Sequence, residues 1–162
     1  MKRTAWFDTI RRMKLLPVFA LFLTTVVSAA DPEGFAMYKG ADIDARTKAA
    51  TIDANHSRVV RVATWGNHSF MVVRREGDGA VETHETQADV IYVVSGEGTL
   101  VLGGTAVGDK TTAPHELRGK SINGGVSKPM AAGDVIHIPA GVPHQMLVPK
   151  SLVIEVVKVD TK

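Results

Sequence analysis

Two segments of the chain combine histidines and carboxylates at spacings that suit metal chemistry. The first contains Glu82, His84 and Asp89, and the second ends at His144. Glu82 and His84 are two positions apart, so on a β-strand both side chains face the same side. Imidazole nitrogens and carboxylate oxygens are donors that proteins offer to divalent transition metals. These two segments are therefore the candidates for a metal site.

The residues before His144 indicate how the chain would position it. The segment reads Gly133-Asp-Val-Ile-His-Ile-Pro139-Ala-Gly141-Val-Pro-His144. Gly133 is expected to open a turn, and residues 135–138 to form a strand. Pro139 and Gly141 then fold the chain sharply. A new strand would begin at His144 with the imidazole pointing inward.

The alternation of side-chain direction along the segment that contains Asp89 predicts a second set of inward-facing residues. After a turn, Asp89 and Ile91 should share one face of a strand, and Tyr92 should lie on the opposite face. Met146 is two residues after His144 and should share its face. Ile91, Met146 and Val148 are the predicted apolar lining of a pocket beside the polar groups.

The rest of the chain favours short strands joined by tight turns, which is typical of an all-β barrel or sandwich. A short helix is predicted through about Ala50, with Asp42 as its N-cap and Ile43 and Thr47 on one face. Gly103-Gly104 is a two-residue hairpin signal with positive φ. The candidate strands are residues 57–62, 69–74, 81–84, 89–94, 99–102, 105–107, 135–138, 144–148 and 152–159.

Two stretches are predicted to contain no strand. The segment Gly96-Glu97-Gly98 is predicted to be a turn between strands. Residues 108–128 contain Gly108, Pro114 and the run Asn123-Gly124-Gly125, and they are predicted to form one irregular excursion. Within it, His115 and Glu116 are expected to be solvated.

The two metal-type segments together resemble the paired motifs of the cupins, over residues 79–148. From Gly133 to His144 the second motif matches at each fixed position, although Val148 stands where the family usually has Asn. The first motif usually reads His-x-His, then Glu, then six residues and Gly. Counting back from Gly96, this chain has Asp89 for that Glu, with His84 and Glu82 in the two histidine positions.

This resemblance implies a cupin-type double-stranded β-helix, or jelly-roll barrel, here with a short N-terminal helix. It also implies one divalent metal ion held by Glu82, His84, Asp89 and His144. The mixed nitrogen and oxygen set suits Mn, Fe or Zn, and Ni is also compatible. A homodimer is expected, because the family often dimerises by strand exchange.

Two residues are candidates for proton transfer at the site. His137, on the strand before Pro139, is a candidate proton-transfer residue if it faces the interior. Glu82 is the other candidate for that role if it does not bind the metal. Arg74 and Arg75 are expected to form a solvated strand end, from which one arginine could reach an anionic ligand.

The first thirty residues are predicted to be a signal peptide. Basic residues precede an apolar run over 15–27, and Ser28-Ala29-Ala30 suits cleavage after Ala30. The run is too short to span a bilayer as a helix. Met13 is an alternative start. A periplasmic or secreted protein with no stable membrane anchor is therefore expected.

Removing this leader changes the charge of the chain. The leader holds five of the 19 basic residues and one of the 17 acidic residues, which leaves 14 and 16. The mature chain is then slightly acidic and has no basic stripe, so a nucleic-acid partner is not expected. With no cysteine present, disulfides, thiolate metal sites and cysteine nucleophiles are excluded.

The predicted organisation is a leader at 1–30, an extension with the short helix at 31–55, and the barrel at 56–162. Two functions remain open. One is a metal-dependent enzyme acting on a small polar metabolite, as a dioxygenase, isomerase or lyase. The other is a non-catalytic module that binds or senses a small molecule, with a structural metal or none. Buried polar groups at ligand spacing favour the enzyme, since burying them without partners is costly.

Overall fold

The computed structural model describes residues 30–161, and the predicted leader lies outside that range apart from Ala30. The described residues form one helix and twelve strands. These are α1 (Gly40–Ala49), β1 (Ser57–Trp65), β2 (His68–Arg75), β3 (Val81–His84), β4 (Gln87–Leu102), β5 (Thr105–Val107), β6 (Lys110–Ala113), β7 (Glu116–Gly119), β8 (Ser121–Asn123), β9 (Val126–Ala131), β10 (Val135–Ile138), β11 (His144–Leu147) and β12 (Leu152–Asp160).

Ten of these strands form one antiparallel sheet, which curls into a barrel. Its order is β1-β2-β12-β4-β11-β3-β7-β6, and β9 and β10 both pair with β4. Strands β5 and β8 form a separate two-stranded sheet. The predicted all-β jelly-roll barrel with a short helix is confirmed.

Strand β4 is the element that joins the two halves of the barrel. Its first half pairs with β12 and β10, and its second half pairs with β11 and β9. The change of partners falls at Gly96, which has a φ of 86°. A side chain there would be blocked, because a Cβ would lie 2.1 Å from the carbonyl oxygen of Ser151.

The barrel interior is filled by the inward faces of the long strands. Along β12, Leu152, Ile154 and Val156 are buried at alternate positions, as the period of a strand requires. Ile91 and Val93 of β4 are fully buried opposite them, and Tyr92 is exposed, as alternation predicts. Each strand that contributes to this core therefore presents one fixed face to the interior.

For two predicted turns, the strands that they were expected to connect are wrong. The segment Gly96-Glu97-Gly98 does not end a strand, because β4 continues through it. Gly103 and Gly104 do have positive φ, at 74° and 66°, as predicted. They do not close a hairpin, however, because β5 pairs with β8 rather than with β4. Local glycine signals identified the bends but not the partners.

The prediction of an irregular excursion over residues 108–128 is also wrong. This stretch contains β6, β7 and β8 and the start of β9. All four residues of β6 are exposed, β7 has one large apolar residue, Leu117, and β8 is three residues long. None of the three shows the apolar alternation that identifies a strand from sequence. Their pairing with β3, β4 and β5 is a tertiary feature.

The helix begins three residues earlier than an Asp42 cap would place it. Its N-cap is Lys39, with no side-chain hydrogen bond, and Asp42 lies in the first turn, so the prediction of an Asp42 cap is wrong. Thr47 is buried and donates a hydrogen bond to the Ile43 carbonyl at 2.8 Å. The helix contacts β1 and β2.

The chain divides into two compact units. The helix and all the strands belong to the second, Met37–Lys162. Of the first unit the structure describes residues 30–36, which contain a turn closed by a hydrogen bond from the Phe35 N–H to the Pro32 carbonyl at 3.0 Å. Across residues 30–161, no helix combines the length and the apolar character needed to cross a membrane.

We expect Gly96→Ala to destabilise the barrel more than a glycine substitution elsewhere at similar φ. Left-handed backbone costs an L-residue roughly 1–2 kcal/mol, and the overlap with Ser151 should raise the loss to about 3 kcal/mol or more. Gly124→Ala is the control, since Gly124 has a φ of 73° and no atom within 4 Å of a built Cβ. Urea unfolding measures both, and equal losses would contradict the assigned constraint at Gly96.

Candidate metal centre

Four side chains from three strands meet at one end of the barrel interior. Nε2 of His84 lies 3.4 Å from Oδ2 of Asp89 and 3.6 Å from Oε2 of Glu82. Nε2 of His144 lies 3.7 Å from the same Asp89 oxygen. The structure thus brings together the four residues that the cupin resemblance selects.

Strand pairing explains this convergence. His144 on β11 is the direct partner of Glu82 on β3, and His84 follows Glu82 by two positions on the same face. Asp89 lies near the start of β4, beyond the turn that follows β3. His84, Asp89 and His144 are each less than 5% exposed.

Both imidazoles are held by their Nδ1 atoms. Nδ1 of His84 lies 2.7 Å from Oε2 of Glu116, and Nδ1 of His144 lies 3.0 Å from the Val142 carbonyl oxygen. A carboxylate or carbonyl oxygen can only accept, so Nδ1 is the donor in both bonds. In a neutral ring this leaves the lone pair on Nε2, the arrangement found in histidines that bind metals.

The two carboxylates are oriented in the same way, each through one oxygen. Oε1 of Glu82 accepts hydrogen bonds from Arg75 at 3.1 Å and from Asn55 at 3.0 Å. Oδ1 of Asp89 accepts from Lys158 Nζ at 2.9 Å. Each carboxylate therefore presents its other oxygen, Oε2 or Oδ2, towards the imidazoles.

The donor set fits a metal ion. Glu82, His84 and His144 offer ligand atoms that all lie within 4.8 Å of one another. Among the described residues, Nε2 of His84 is one of two buried side-chain atoms without a hydrogen bond. A buried polar atom in this state is unfavourable unless a ligand satisfies it. The observation supports coordination at this point.

The two histidines have pKa values shifted in opposite directions. Burial lowers the pKa of His144, and this effect prevails. Burial also acts to lower the pKa of His84, but the carboxylates of Asp89 and Glu116 outweigh it and raise that pKa. His84 is therefore the imidazole that holds a proton more strongly, and this proton must leave before Nε2 can bind a metal.

The carboxylates are kept ionised by their neighbours. Burial acts to raise the pKa of Glu82, but the charges of Arg118 and Arg75 outweigh it and lower the pKa. For Asp89, burial is likewise outweighed by His84 and Lys158, and the pKa falls from 3.8 to about 2. Both side chains are thus anionic at neutral pH.

A small cavity of about 50 Å³ adjoins these groups. Ile91 and Met146 line it, as predicted, but Val148 does not. Val148 follows the end of β11 and packs within the hydrophobic core instead. The cavity is lined by Met71, Val73, Arg75, Glu82, Asp89, Ile91, His144, Met146, Ile154, Val156 and Lys158.

Two sequence-based expectations about nearby residues are wrong. His137 is exposed on β10 and pairs with the exposed Val90, while the next residue, Ile138, is the one that faces the core. His137 therefore has no access to the site. Arg75 is buried rather than solvated, because Glu82 draws its guanidinium inside.

Sequence reasoning missed three residues that position the site. Glu116 was expected to be solvated, yet it holds His84. Its position on β7 beside β3 has no local signal, since it depends on a long-range strand pair. Asn55 precedes β1 and also gave no signal. Lys158 could have been found, because it continues the inward positions of Leu152, Ile154 and Val156 on β12.

Comparisons with known proteins support the fold. No protein-family model and no curated protein matches the chain. An uncharacterized double-stranded β-helix protein from Klebsiella pneumoniae is 16% identical with a TM-score of 0.52, and the match covers 82% of this chain and 93% of that one. An RmlC-like cupin from Shewanella frigidimarina is 18% identical with a TM-score of 0.51, over 70% and 83% of the two chains.

A third structure, Streptomyces PAC13 with uridine, is 13% identical with a TM-score of 0.50, over 70% of this chain and 78% of that one. Identities this low show the fold alone. The chain has the double-stranded β-helix fold of the cupins, with a His and Glu cluster inside the barrel that could hold a metal ion.

The ionised Asp89 should stabilise the metal-free barrel in a pH-dependent way. Its folded pKa is depressed, so this stability is present above the unfolded value near 3.8 and is lost as pH falls towards about 2. In the presence of chelator, Asp89→Asn should lower the free energy of unfolding at pH 7 by roughly 2 kcal/mol. The gap between the wild type and this variant should narrow below about pH 4.

Urea titrations at several pH values measure the difference in free energy of unfolding between the wild type and Asp89→Asn. Asp109→Asn, a change at an exposed aspartate, is the matched control and should show almost no gap at any pH. A gap for Asp89→Asn that stays constant from pH 7 to pH 2 would contradict the role assigned to its charge.

Proposed function

We propose that this protein binds one divalent transition metal through His84, His144, Glu82 and Asp89, and that it is a metal-dependent enzyme acting on a small polar metabolite. The observation that carries the proposal is the unpartnered, buried Nε2 of His84. Both imidazoles are fixed by Nδ1 hydrogen bonds, and both carboxylates direct a second oxygen to the same place. Arrangements of this kind orient ligands for a metal.

The donor atoms restrict which metal ions fit the site. Two imidazole nitrogens and two carboxylate oxygens suit Mn, Fe or Zn, with Ni as a further candidate. When bound, such an ion supplies Lewis acidity or a site for activating oxygen. The reaction class, among dioxygenase, isomerase and lyase, stays open.

The chain itself supplies orientation and a proton acceptor. Glu116 holds the His84 ring, and Arg75 and Asn55 hold Glu82. With His137 outside the barrel, Glu82 is the remaining candidate for proton transfer, if its Oε2 is not occupied as a ligand. Because its pKa is lowered, it would act from the ionised form as a base.

A non-catalytic binding module is the second candidate, and one observation favours it. Each buried carboxylate already has a cationic partner: Arg75 for Glu82 and Lys158 for Asp89. These pairs neutralise the two carboxylates without a metal. A barrel that binds a small molecule, with a structural metal ion or with none, is therefore compatible with the same arrangement of charges. A barrel that binds no metal excludes the metal-dependent enzyme, whereas substrate turnover by the metal-loaded protein excludes the non-catalytic module.

We further propose that the mature protein is exported to the periplasm or beyond the cell, without a stable membrane anchor or a nucleic-acid partner. The proposal is supported by the leader-like sequence of residues 1–30 and by the slightly acidic remainder. A homodimer is also proposed. Exposed apolar side chains on the outer faces of β4 and β10, Val90, Tyr92, Val94 and Val135, support it.

Elemental analysis of protein purified without affinity chelation tests the metal. We expect about one equivalent of Mn, Fe or Zn in the wild type, and less than about a tenth of an equivalent in His144→Ala, because one of its imidazole ligands is gone. His137→Ala is the control and should keep the metal. A wild type that holds no metal, with unchanged stability after chelation, would overturn the enzyme proposal.

Glu116 should tune the affinity for this metal without touching it. Glu116→Gln keeps the size of the side chain but removes the charge that orients His84, so metal affinity should fall about 10–100-fold. Glu85→Gln is the control, since Glu85 is exposed and contacts His115 instead. Competition with a chelating dye measures both, and equal affinities would refute the orienting role.

A further inference from the structure

Two cationic side chains line the same cavity as the metal-type ligands. Arg75 and Lys158 are 7% and 13% exposed at their side chains. They lie on different strands, β2 and β12, and both border the cavity of about 50 Å³ with Glu82, Asp89 and His144. Lysine and arginine side chains are rarely buried unless they are paired. Arg75 and Lys158 must therefore be included in the charge balance of the site.

The charges of the cavity lining balance only when no metal is bound. Arg75 and Lys158 offset Glu82 and Asp89, and just outside the lining Arg118 pairs with Glu116 at 3.0 Å. A divalent ion held by neutral imidazoles would therefore add two positive charges that no side chain offsets. Uncompensated charge in a buried cavity is strongly unfavourable. The loaded site needs an anion.

The cations also have donors to spare for such an anion. Nε of Arg75 is buried and makes no hydrogen bond within the described residues. An ammonium group has three N–H donors, and one of those on Lys158 is used by Asp89. Donors of this kind form charge-assisted hydrogen bonds with carboxylates.

Cavity size and lining restrict the anion further. A volume of about 50 Å³ holds roughly three or four water-sized groups. Apart from the charged and imidazole groups, the walls are apolar, formed by Met71, Val73, Ile91, Met146, Ile154 and Val156. A compact ligand with one charged end suits these walls better than a sugar or another extended polar molecule.

We propose that the metal-loaded barrel takes a small carboxylate as its ligand, with the anionic group held beside the metal by Lys158 and Arg75. This inference rests on the proposed metal site and names the substrate class of that site. Lys158 and Arg75 thereby select for negative charge, in addition to orienting Asp89 and Glu82.

Formate and acetate, compared with formamide and acetamide, test the proposal. The members of each pair have the same size but differ in charge, and all four are weak chelators. Added to Zn-loaded protein, the two anions should raise the melting temperature and bind at least tenfold more tightly by calorimetry than the amides. Anions that bind no better than the amides, while one equivalent of Zn stays bound, overturn this inference but leave the metal proposal intact.

Lys158→Met tests the named residue. With zinc in excess, so that the site is saturated in each variant, it should reduce formate affinity at least tenfold, and Lys158→Arg, which keeps the charge, should recover part of it. Lys150→Met, at an exposed lysine, should bind formate like the wild type. Unchanged formate affinity in Lys158→Met contradicts the assignment. Failure of the wild type to bind zinc, or any other divalent metal, overturns the proposed function itself.

Discussion

The barrel and its site both depend on β4 pairing with two different sets of strands. In its first half β4 lies beside β12, which places Lys158 directly across from Asp89. In its second half it lies beside β11, which brings in His144. The bend at Gly96 allows one strand to serve both halves of the barrel, because only glycine fits its φ and its close approach to Ser151. The pairing of β4 thus brings the carboxylate of Asp89, its counterion Lys158 and the imidazole of His144 together.

Burial of charge is the second constraint. The interior accepts Glu82 and Asp89 because each has a cation within hydrogen-bonding distance. The same contacts orient the carboxylates, so that stability and site geometry have one physical origin. They also leave the metal-free site close to neutral. An added divalent ion changes that balance, and this links the proposed metal to the proposed anionic ligand.

Much of the fold could be predicted from sequence, and the failures share a cause. Strands with an apolar face, such as β2 and β12, were predicted nearly to the residue, because alternation records which face is buried. Strands β6, β7 and β8 were missed because they are only three or four residues long and none has a clear apolar face. The turn predicted at Gly96 failed because glycine marks a bend whether or not the strand continues.

By itself, the sequence determined the cupin-like motifs and the inward face of β4, since local spacing and parity fix these, and the resemblance to the cupin motifs selected the set Glu82, His84, Asp89 and His144. Only the tertiary structure decided that Glu116, Asn55, Arg75 and Lys158 hold those four residues, and that His137 faces outward. These contacts join residues far apart in the chain. No local pattern can encode a hydrogen bond between Glu116 and His84, which forms only when β7 pairs with β3.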